Sequence, residues 1–191
     1  MMRKLAVFFP GIGYTVDKPL LHYSRRIAAD RGYEIRLLPY SGFPEKIRGD
    51  RKKMEESCRI ALSQSRQMLA DVDLEAYEDV LFIGKSIGTV VAAQLASESS
   101  APVRSILYTP LDDTFLFPIK EAIAFTGTAD PWVGGENSRI KELCGKQGIT
   151  CISVPGANHS LESGNLDEDL KNLQMIMQET LKFIEKPSPF R

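Results

Sequence analysis

Two kinds of hydrophobic pattern alternate along this chain. Short runs of apolar, β-branched and aromatic residues recur, and longer stretches with an apolar residue every three or four positions separate them. The short runs predict β-strands at roughly residues 5–9, 34–38, 80–83, 105–109, 122–126 and 150–154. Strands that alternate with helices form a parallel sheet with helices packed on both faces. The pattern therefore predicts an α/β fold of three layers, α/β/α, around a mostly parallel six-stranded sheet.

Amphipathic periodicity predicts three helices, at about residues 18–31, 51–69 and 166–184. On the second of these, Met54 and Cys58 fall on the apolar face and are candidates for the core. Prolines follow the third helix, so residues 186–191 are predicted to form a frayed tail. The sequence contains no repeat, low-complexity segment or linker pattern, and we expect a single domain over residues 1–191.

The composition is that of an ordinary globular domain. A chain of 191 residues can bury a core without metal or disulfide support. Its net charge of -1 gives no electrostatic reason to expect nucleic acid or an anionic membrane surface as a partner. No apolar run approaches the roughly 18 residues that a membrane span needs. We expect a small-molecule partner, whereas the oligomeric state stays open.

The cysteine content argues against a disulfide framework and against a zinc cluster. Cys58, Cys144 and Cys151 are an odd number, and no two of them have the spacing of a C-x-x-C motif. The sequence therefore predicts free, mostly buried thiols in a cytoplasmic protein. No metal ion or organic cofactor is expected.

The segment with the most chemical information begins as an apolar strand and runs into the pentapeptide Gly84-Lys85-Ser86-Ile87-Gly88. An apolar, helix-like stretch follows it directly. A Gly-x-Ser-x-Gly sequence between a strand and a helix is typical of a nucleophile elbow, in which a strained turn presents the serine hydroxyl. The serine would also lie at a helix N-terminus, where unpaired N–H groups favour an oxyanion.

The same residues also fit the end of a phosphate-binding P-loop, because Gly84-Lys85-Ser86 is its closing tripeptide. A P-loop requires a glycine five positions before that tripeptide, and position 79 is Asp. We therefore favour the nucleophile interpretation.

A serine nucleophile needs a base, and the chain has two histidines. His22 lies within the first predicted helix, where a surface or packing role is expected. His159 follows the last predicted strand, in a loop at the same sheet edge as Ser86. His159 is therefore the candidate base, although a loop or capping histidine is the structural alternative.

The base in turn needs a carboxylate that holds its tautomer and stabilises the imidazolium. Asp130, which follows the fifth strand, is our candidate. Its alternative role is that of a helix N-cap before Pro131. Asp112 and Asp113, after the fourth strand, are rival acids. Asp130 is favoured because Ser86, Asp130 and His159 each follow a strand and occur in the chain order Ser, Asp, His.

An oxyanion hole requires two N–H groups directed at the carbonyl oxygen of the substrate. The N–H of Ile87 is one candidate, because it directly follows the serine. The other is expected from the loop after the first strand, where we favour the N–H of Ile12 with Gly13 as second choice.

With these motifs in place, the chain resembles the α/β-hydrolase superfamily over nearly its full length. The resemblance implies that Ser86 is the nucleophile, Asp130 the acid and His159 the base. It also implies a minimal sheet that matches strands three to eight of the family, as in small dienelactone-hydrolase-like and carboxylesterase-like enzymes. Residues 110–120 leave no room for a substantial lid. The aromatic residues that could line an open site are Phe43, Phe115, Phe117 and Trp132.

Three features depart from well-known members. Dienelactone hydrolases carry a cysteine where this chain has Ser86. Lys85 replaces the commoner residues before the nucleophile, and Pro10 to Gly13 lacks the His-Gly-Gly-Gly of many esterases. The resemblance implies a serine hydrolase that cleaves an ester or similar acyl bond through an acyl-enzyme. A thioesterase or peptidase with the same three residues, and a non-catalytic binding protein of this fold, are the alternatives.

Overall fold

A computed structural model describes residues 3–47, 49–132 and 138–187. It contains one six-stranded sheet in the order β2-β1-β3-β4-β5-β6, and each neighbouring pair is parallel. The strands are β1 (Lys4–Phe9), β2 (Glu34–Leu37), β3 (Asp79–Lys85), β4 (Val103–Tyr108), β5 (Glu121–Gly127) and β6 (Thr150–Val154). The predicted six-stranded parallel sheet is confirmed.

Five α-helices lie in the described residues: α1 (Pro19–Asp30), α2 (Arg51–Met68), α3 (Ile87–Glu98), α4 (Ser138–Lys146) and α5 (Leu166–Glu185). The three helices predicted from periodicity correspond to α1, α2 and α5, and α3 is the apolar stretch after the Gly-x-Ser-x-Gly motif. The sequence patterns did not single out α4. This helix is short and directs only Ile140 and Cys144 into a core cluster, which is too few positions for a clear period.

Successive residues of each strand face opposite layers. On β3, Leu81 and Ile83 belong to the cluster beneath α1 and α5, whereas Val80 and Phe82 belong to the cluster beneath α2 and α3. A third cluster, which includes residues of α3 and α4, extends this second face. The predicted α/β/α layering is thus confirmed. Because both faces of β3 are covered, its sequence is a nearly continuous apolar run.

Charged side chains stand at both ends of β3. Asp79, at its start, forms a buried ion pair with Arg104 of β4, with 2.8 Å between Oδ2 and a guanidinium nitrogen. Lys85, at its end, is also buried. The two ends differ in charge pairing. Asp79 and Arg104 form an ion pair, whereas no carboxylate among the described residues forms one with Lys85.

Some expectations need correction. Met54 and Cys58 pack against the core but are only partly buried, and of the three free thiols only Cys144 is fully buried. In the predicted frayed tail, residues 188–191 lie outside the described part, while Lys186 ends α5 and its carbonyl accepts a hydrogen bond from Arg104. Within the described ranges, no helix has the length and apolarity to cross a bilayer.

Candidate active site

The loops that follow β1, β3, β5 and β6 meet at one edge of the sheet, because parallel strands end on the same side. This is the edge at which open α/β sheets place their ligands. It carries Ile12, Ser86, Asp130 and His159, which are four of the five residues predicted for the site. The fifth, Ile87, is the first residue of α3.

Ser86 occupies the sharp turn between β3 and α3. Its φ of 54° and ψ of -122° are unusual for a residue with a side chain, and its N–H donates to the carbonyl of Tyr108 at 3.0 Å. The flanking glycines are required for close packing rather than for conformational freedom. A Cβ on Gly88 would lie 2.0 Å from the carbonyl oxygen of Phe9, so α3 can approach β1 only if this position is Gly.

His159 lies between the hydroxyl and the carboxylate. Its Nε2 is 2.8 Å from Ser86 Oγ, and its Nδ1 is 2.7 Å from Asp130 Oδ2. Asp130 is 1% exposed, and its second oxygen accepts the N–H of Trp132 at 2.9 Å. Because the carboxylate accepts the Nδ1 proton, the neutral ring has a free lone pair on Nε2 that can accept the Ser86 proton.

The loops that carry Asp130 and His159 are hydrogen-bonded to each other. The N–H of Ala129 donates to the carbonyl of Ala157 at 2.9 Å, and the N–H of Gly156 donates to Thr128 Oγ1 at 2.7 Å. At the end of β5, a Cβ on Gly127 would lie 2.1 Å from the carbonyl oxygen of Ala157. The absence of a side chain at Gly127 therefore permits the close contact between the two loops.

The rival residues have other partners. Asp112 forms an exposed ion pair with Arg139 at 3.5 Å. His22 lies within α1, where its Nδ1 is 3.3 Å from a guanidinium nitrogen of Arg25. Residues 131 and 132 form a turn rather than the start of a helix, so Asp130 is not the N-cap that was its structural alternative. One carboxylate oxygen accepts the N–H of Trp132 in this turn, while the other contacts His159.

Both predicted oxyanion donors lie near the serine. Ile87 follows it in the chain, and Ile12 lines the same cavity. The N–H of Ile87 opens α3 and so has no acceptor four residues earlier. Ile12 and Gly13 occupy a tight turn closed by a hydrogen bond of 3.1 Å from the N–H of Gly11 to the carbonyl of Tyr14. Both line the cavity that contains Ser86. The pairing of Ile87 with Ile12 or with Gly13 stays a prediction.

A cavity of about 400 Å³ opens over Ser86 and His159. Its apolar wall includes Ile12, Ile47, Met54 and Trp132. The Trp132 ring lies 5.5 Å from the His159 ring, centroid to centroid. Of the four aromatic residues considered from the sequence, Trp132 is among the described lining residues, and the three phenylalanines pack against the hydrophobic clusters.

Burial and charge determine the proton affinities in the site. Burial lowers the pKa of His159 from its ordinary value, the hydrogen bond that its ring donates to Asp130 opposes this shift, and the charge of Lys85 adds to it. Burial also lowers the pKa of Lys85, to about 7, against the opposing effects of Asp130 and Glu162. In the sequence, Lys85 is notable only as a departure from the residues that commonly precede the nucleophile. The available signal was a lysine that continues a strand otherwise predicted to be buried.

Comparison with solved structures identifies the fold. An α/β serine hydrolase homologue from Coxiella burnetii has a TM-score of 0.64 and 13% identity, over 93% of this chain and 84% of that chain. The Pyrococcus furiosus esterase Pf2001 has a TM-score of 0.67 and 13% identity, over 96% and 83%. An α/β serine hydrolase without a lid from Xanthomonas campestris has a TM-score of 0.60 and 12% identity, over 98% of this chain and 85% of that chain. The chain therefore has the α/β-hydrolase fold. No family model and no curated protein sequence matches it.

Proposed function

We propose that this protein is a serine hydrolase that cleaves a carboxylic ester or similar acyl bond of a small substrate, with Ser86, His159 and Asp130 as its triad. The observation that carries this proposal is the continuous hydrogen-bonded chain from Ser86 Oγ through His159 to Asp130, with distances of 2.8 Å and 2.7 Å. Such a chain activates a hydroxyl that is otherwise a poor nucleophile.

In the proposed reaction, Ser86 Oγ attacks the substrate carbonyl while His159 Nε2 takes its proton. Asp130 stabilises the imidazolium that forms. The N–H groups of Ile87 and Ile12 would hold the oxyanion of the tetrahedral intermediate. His159 then gives its proton to the leaving alcohol, and a water activated by the same imidazole releases the acyl group from Ser86. Every proton transfer uses side chains of this chain.

The site is open, which favours a substrate whose hydrolysis does not require a lid to close over it. Between β4 and β5 the chain forms only a short 3-10 helix, Asp112–Leu116, which is too small to cover the cavity. The likeness to hydrolases and to an esterase supports acyl chemistry at the level of the fold. The free thiols of Cys58, Cys144 and Cys151 are in keeping with the cytoplasmic location that we also propose.

A fluorophosphonate provides the direct test, because it forms a covalent adduct with an activated serine. We expect intact mass spectrometry to detect one adduct on the wild-type protein and none on Ser86→Ala. The matched control is Ser97→Ala, which removes an exposed hydroxyl from α3 and should leave labelling unchanged. Absence of an adduct on the folded wild type would favour a non-catalytic binding protein.

Hydrolysis assays then define the acyl bond. On an aryl ester, Ser86→Ala should lower kcat by roughly 10⁴-fold or more, as expected when the nucleophile of a triad is removed. A panel of esters, thioesters and short peptides of matched acyl length separates an esterase from a thioesterase or peptidase. Hydrolysis by folded Ser86→Ala at the wild-type rate would exclude this serine as the nucleophile.

A further inference from the structure

Lys85 places a buried amine beside the nucleophile. The residue is 1% exposed and directly precedes Ser86. Its side chain leaves β3 on the face of Leu81 and Ile83, and its Nζ lies 4.9 Å from the centroid of the Tyr14 ring. Both Lys85 and Tyr14 line the cavity above Ser86. A cation is therefore present in the wall of the cavity in which the proposed reaction occurs.

Within residues 3–47, 49–132 and 138–187, this amine forms no ion pair. Asp130 and Glu162 act on it electrostatically, but neither forms an ion pair with it in the described part of the chain. Asp130 is already engaged by His159 and by the N–H of Trp132. The amine also faces the ring of Tyr14, which attracts a cation but supplies no hydrogen-bond acceptor of carboxylate strength. Buried charges are ordinarily paired, so this amine lacks a partner that a ligand could supply.

Among the residues that the structure describes, the charged side chains of the cavity wall have a single sign. Lys85 and Lys46 are the charged side chains among the described lining residues, and neither Asp nor Glu joins them there. The rest of the wall is largely apolar or carries neutral polar groups. A low-dielectric cleft lined by one sign of charge concentrates ligands of the opposite sign. The combination of an apolar wall and one buried polar anchor is also the usual composition of a small-molecule site.

We propose that the substrate carries a carboxylate in addition to its ester, and that Lys85 Nζ binds this carboxylate as the specificity-determining residue of the cavity. The inference rests on the proposed function, because the ester is the bond that Ser86 attacks. The preferred substrates are thus hemiesters of dicarboxylic acids, or esters of hydroxy acids, in which the free carboxylate pairs with the ammonium group.

Proton uptake should accompany this recognition. Burial lowers the pKa of Lys85 to about 7, and a carboxylate bound to the amine favours the charged form and raises the pKa again. The preference for an anionic substrate should therefore weaken as the pH rises from 7 to 9, where the free amine is neutral.

The kinetic test compares monomethyl with dimethyl esters of succinic, glutaric and adipic acids, and O-acetylglycolate with its methyl ester. Each pair differs by one methyl group and one negative charge. We expect kcat/KM for the anionic member of at least one pair to be about tenfold higher or more, the range for a hydrogen bond to a charged group. Lys85→Met should remove that preference. The matched control is Lys120→Met, which replaces an exposed lysine directly before β5 and should retain the preference.

A binding measurement separates this inference from the proposed function. The same ester pairs are titrated calorimetrically into Ser86→Ala, which leaves the esters intact, and into Ser86→Ala with Lys85→Met. Tighter binding of an anionic ester that depends on Lys85 supports the inference even if the wild type neither hydrolyses esters nor reacts with a fluorophosphonate. Labelling of Ser86 without any preference for the anionic esters would contradict the inference and leave the hydrolase proposal unaffected.

Lys85→Met should fold, because Met fills a buried position well, and circular dichroism checks this. If it does not fold, Ser86→Ala labelled with ¹³C at lysine Cε gives a second measurement. The pH titration of the Lys85 resonance should move to higher pH when monomethyl glutarate is added and not when dimethyl glutarate is added. Equal titrations with both esters, or an anionic preference that persists in folded Lys85→Met, would overturn the proposal.

Discussion

At the scale of single residues, the chemistry of this site depends on whether His159 is neutral. Its ring is partly buried, and burial is the first cause of its lowered pKa because a charged imidazolium loses hydration. Asp130 opposes this shift through its hydrogen bond to Nδ1. Lys85 adds to it, since a nearby cation disfavours a second positive charge. His159 is thereby kept available as a base under mildly acidic conditions.

We therefore expect kcat/KM for an uncharged ester to fall on the acid side with a midpoint below 6.5, the ordinary pKa of histidine. Lys85→Met removes a cation and should raise the pKa of His159, so the acid limb should move to higher pH. A pH profile with dimethyl glutarate measures both, because this substrate carries no carboxylate for Lys85. Lys120→Met is the control and should keep the wild-type midpoint. A profile that is flat from about pH 5 to 8 would contradict His159 as the base.

Ser86, Asp130 and His159 could be named as candidate site residues from the sequence because each follows a predicted strand and has a side chain suited to one step of the proposed reaction. The sequence left Lys85 without a function. The reason is physical: the cost of burying a lysine depends on which groups surround its amine, and those groups come from the loops after β1, β5 and β6.

At the scale of elements, the acid loop after β5 and the histidine loop after β6 act as one unit. Backbone hydrogen bonds join them, and Gly127 packs against the carbonyls of Ala157 and Asn158. We therefore expect the distance between His159 and Asp130 to depend on the backbone contact at Gly127, which is not one of the three proposed catalytic residues.

Gly127→Ala should test this dependence. The added Cβ would lie 2.1 Å from the carbonyl oxygen of Ala157, so the loops must separate. We expect the variant to lose about 1–3 kcal/mol of unfolding free energy through overpacking. Because a displacement of about 1 Å can lower a rate by roughly 100-fold, kcat/KM should fall substantially as well. Urea unfolding and ester hydrolysis measure the two effects.

Gly145→Ala is the matched control for that substitution. A Cβ at Gly145, in α4, would meet no atom within 4 Å. Replacing Gly by Ala within a helix should leave stability unchanged or raise it by about 0.5–1 kcal/mol, without an effect on hydrolysis. Equal behaviour of the two variants would show that the contact at Gly127 does not position the loops.

At the scale of the whole molecule, one buried cluster joins the sheet to α5 at the end opposite the site. Arg104 is 0% exposed and makes two hydrogen bonds to Asp79, at 2.8 Å and 3.1 Å. It also donates to the hydroxyl of Tyr33 and to the carbonyls of Phe183 and Lys186. The guanidinium thus connects β3 and β4 with the end of α5, and its hydrogen bonds compensate for its burial.

Arg104→Met should lower the unfolding free energy by about 3–5 kcal/mol, because removing one member of a buried pair leaves Asp79 charged and unpaired. The control is Arg66→Met, which removes an exposed pair with Glu98 at 2.8 Å. Its cost should be about 1 kcal/mol or less, since water screens exposed pairs. Urea unfolding of both variants provides the comparison. A loss below 1 kcal/mol for Arg104→Met would contradict a stabilising role of this pair.

The six strands, four of the five described helices, the α/β class and the choice of triad candidates followed from the sequence alone. They are determined by local periodicity and by residue types at strand ends, and both are properties of neighbouring positions in the chain. For the same reason, helix α4 was missed, because its two core contacts set up no clear period.

The features that depend on distant residues came from the packed chain. The contact between Gly127 and Ala157, the cluster around Arg104 and the contact of the Lys85 amine with Tyr14 each join segments that are far apart in the sequence. No local pattern encodes them, because burial and charge pairing arise only when those segments meet. The residues that we propose for the reaction could therefore be named from the sequence, whereas the residue that we propose to select the substrate was recognised only in the folded structure.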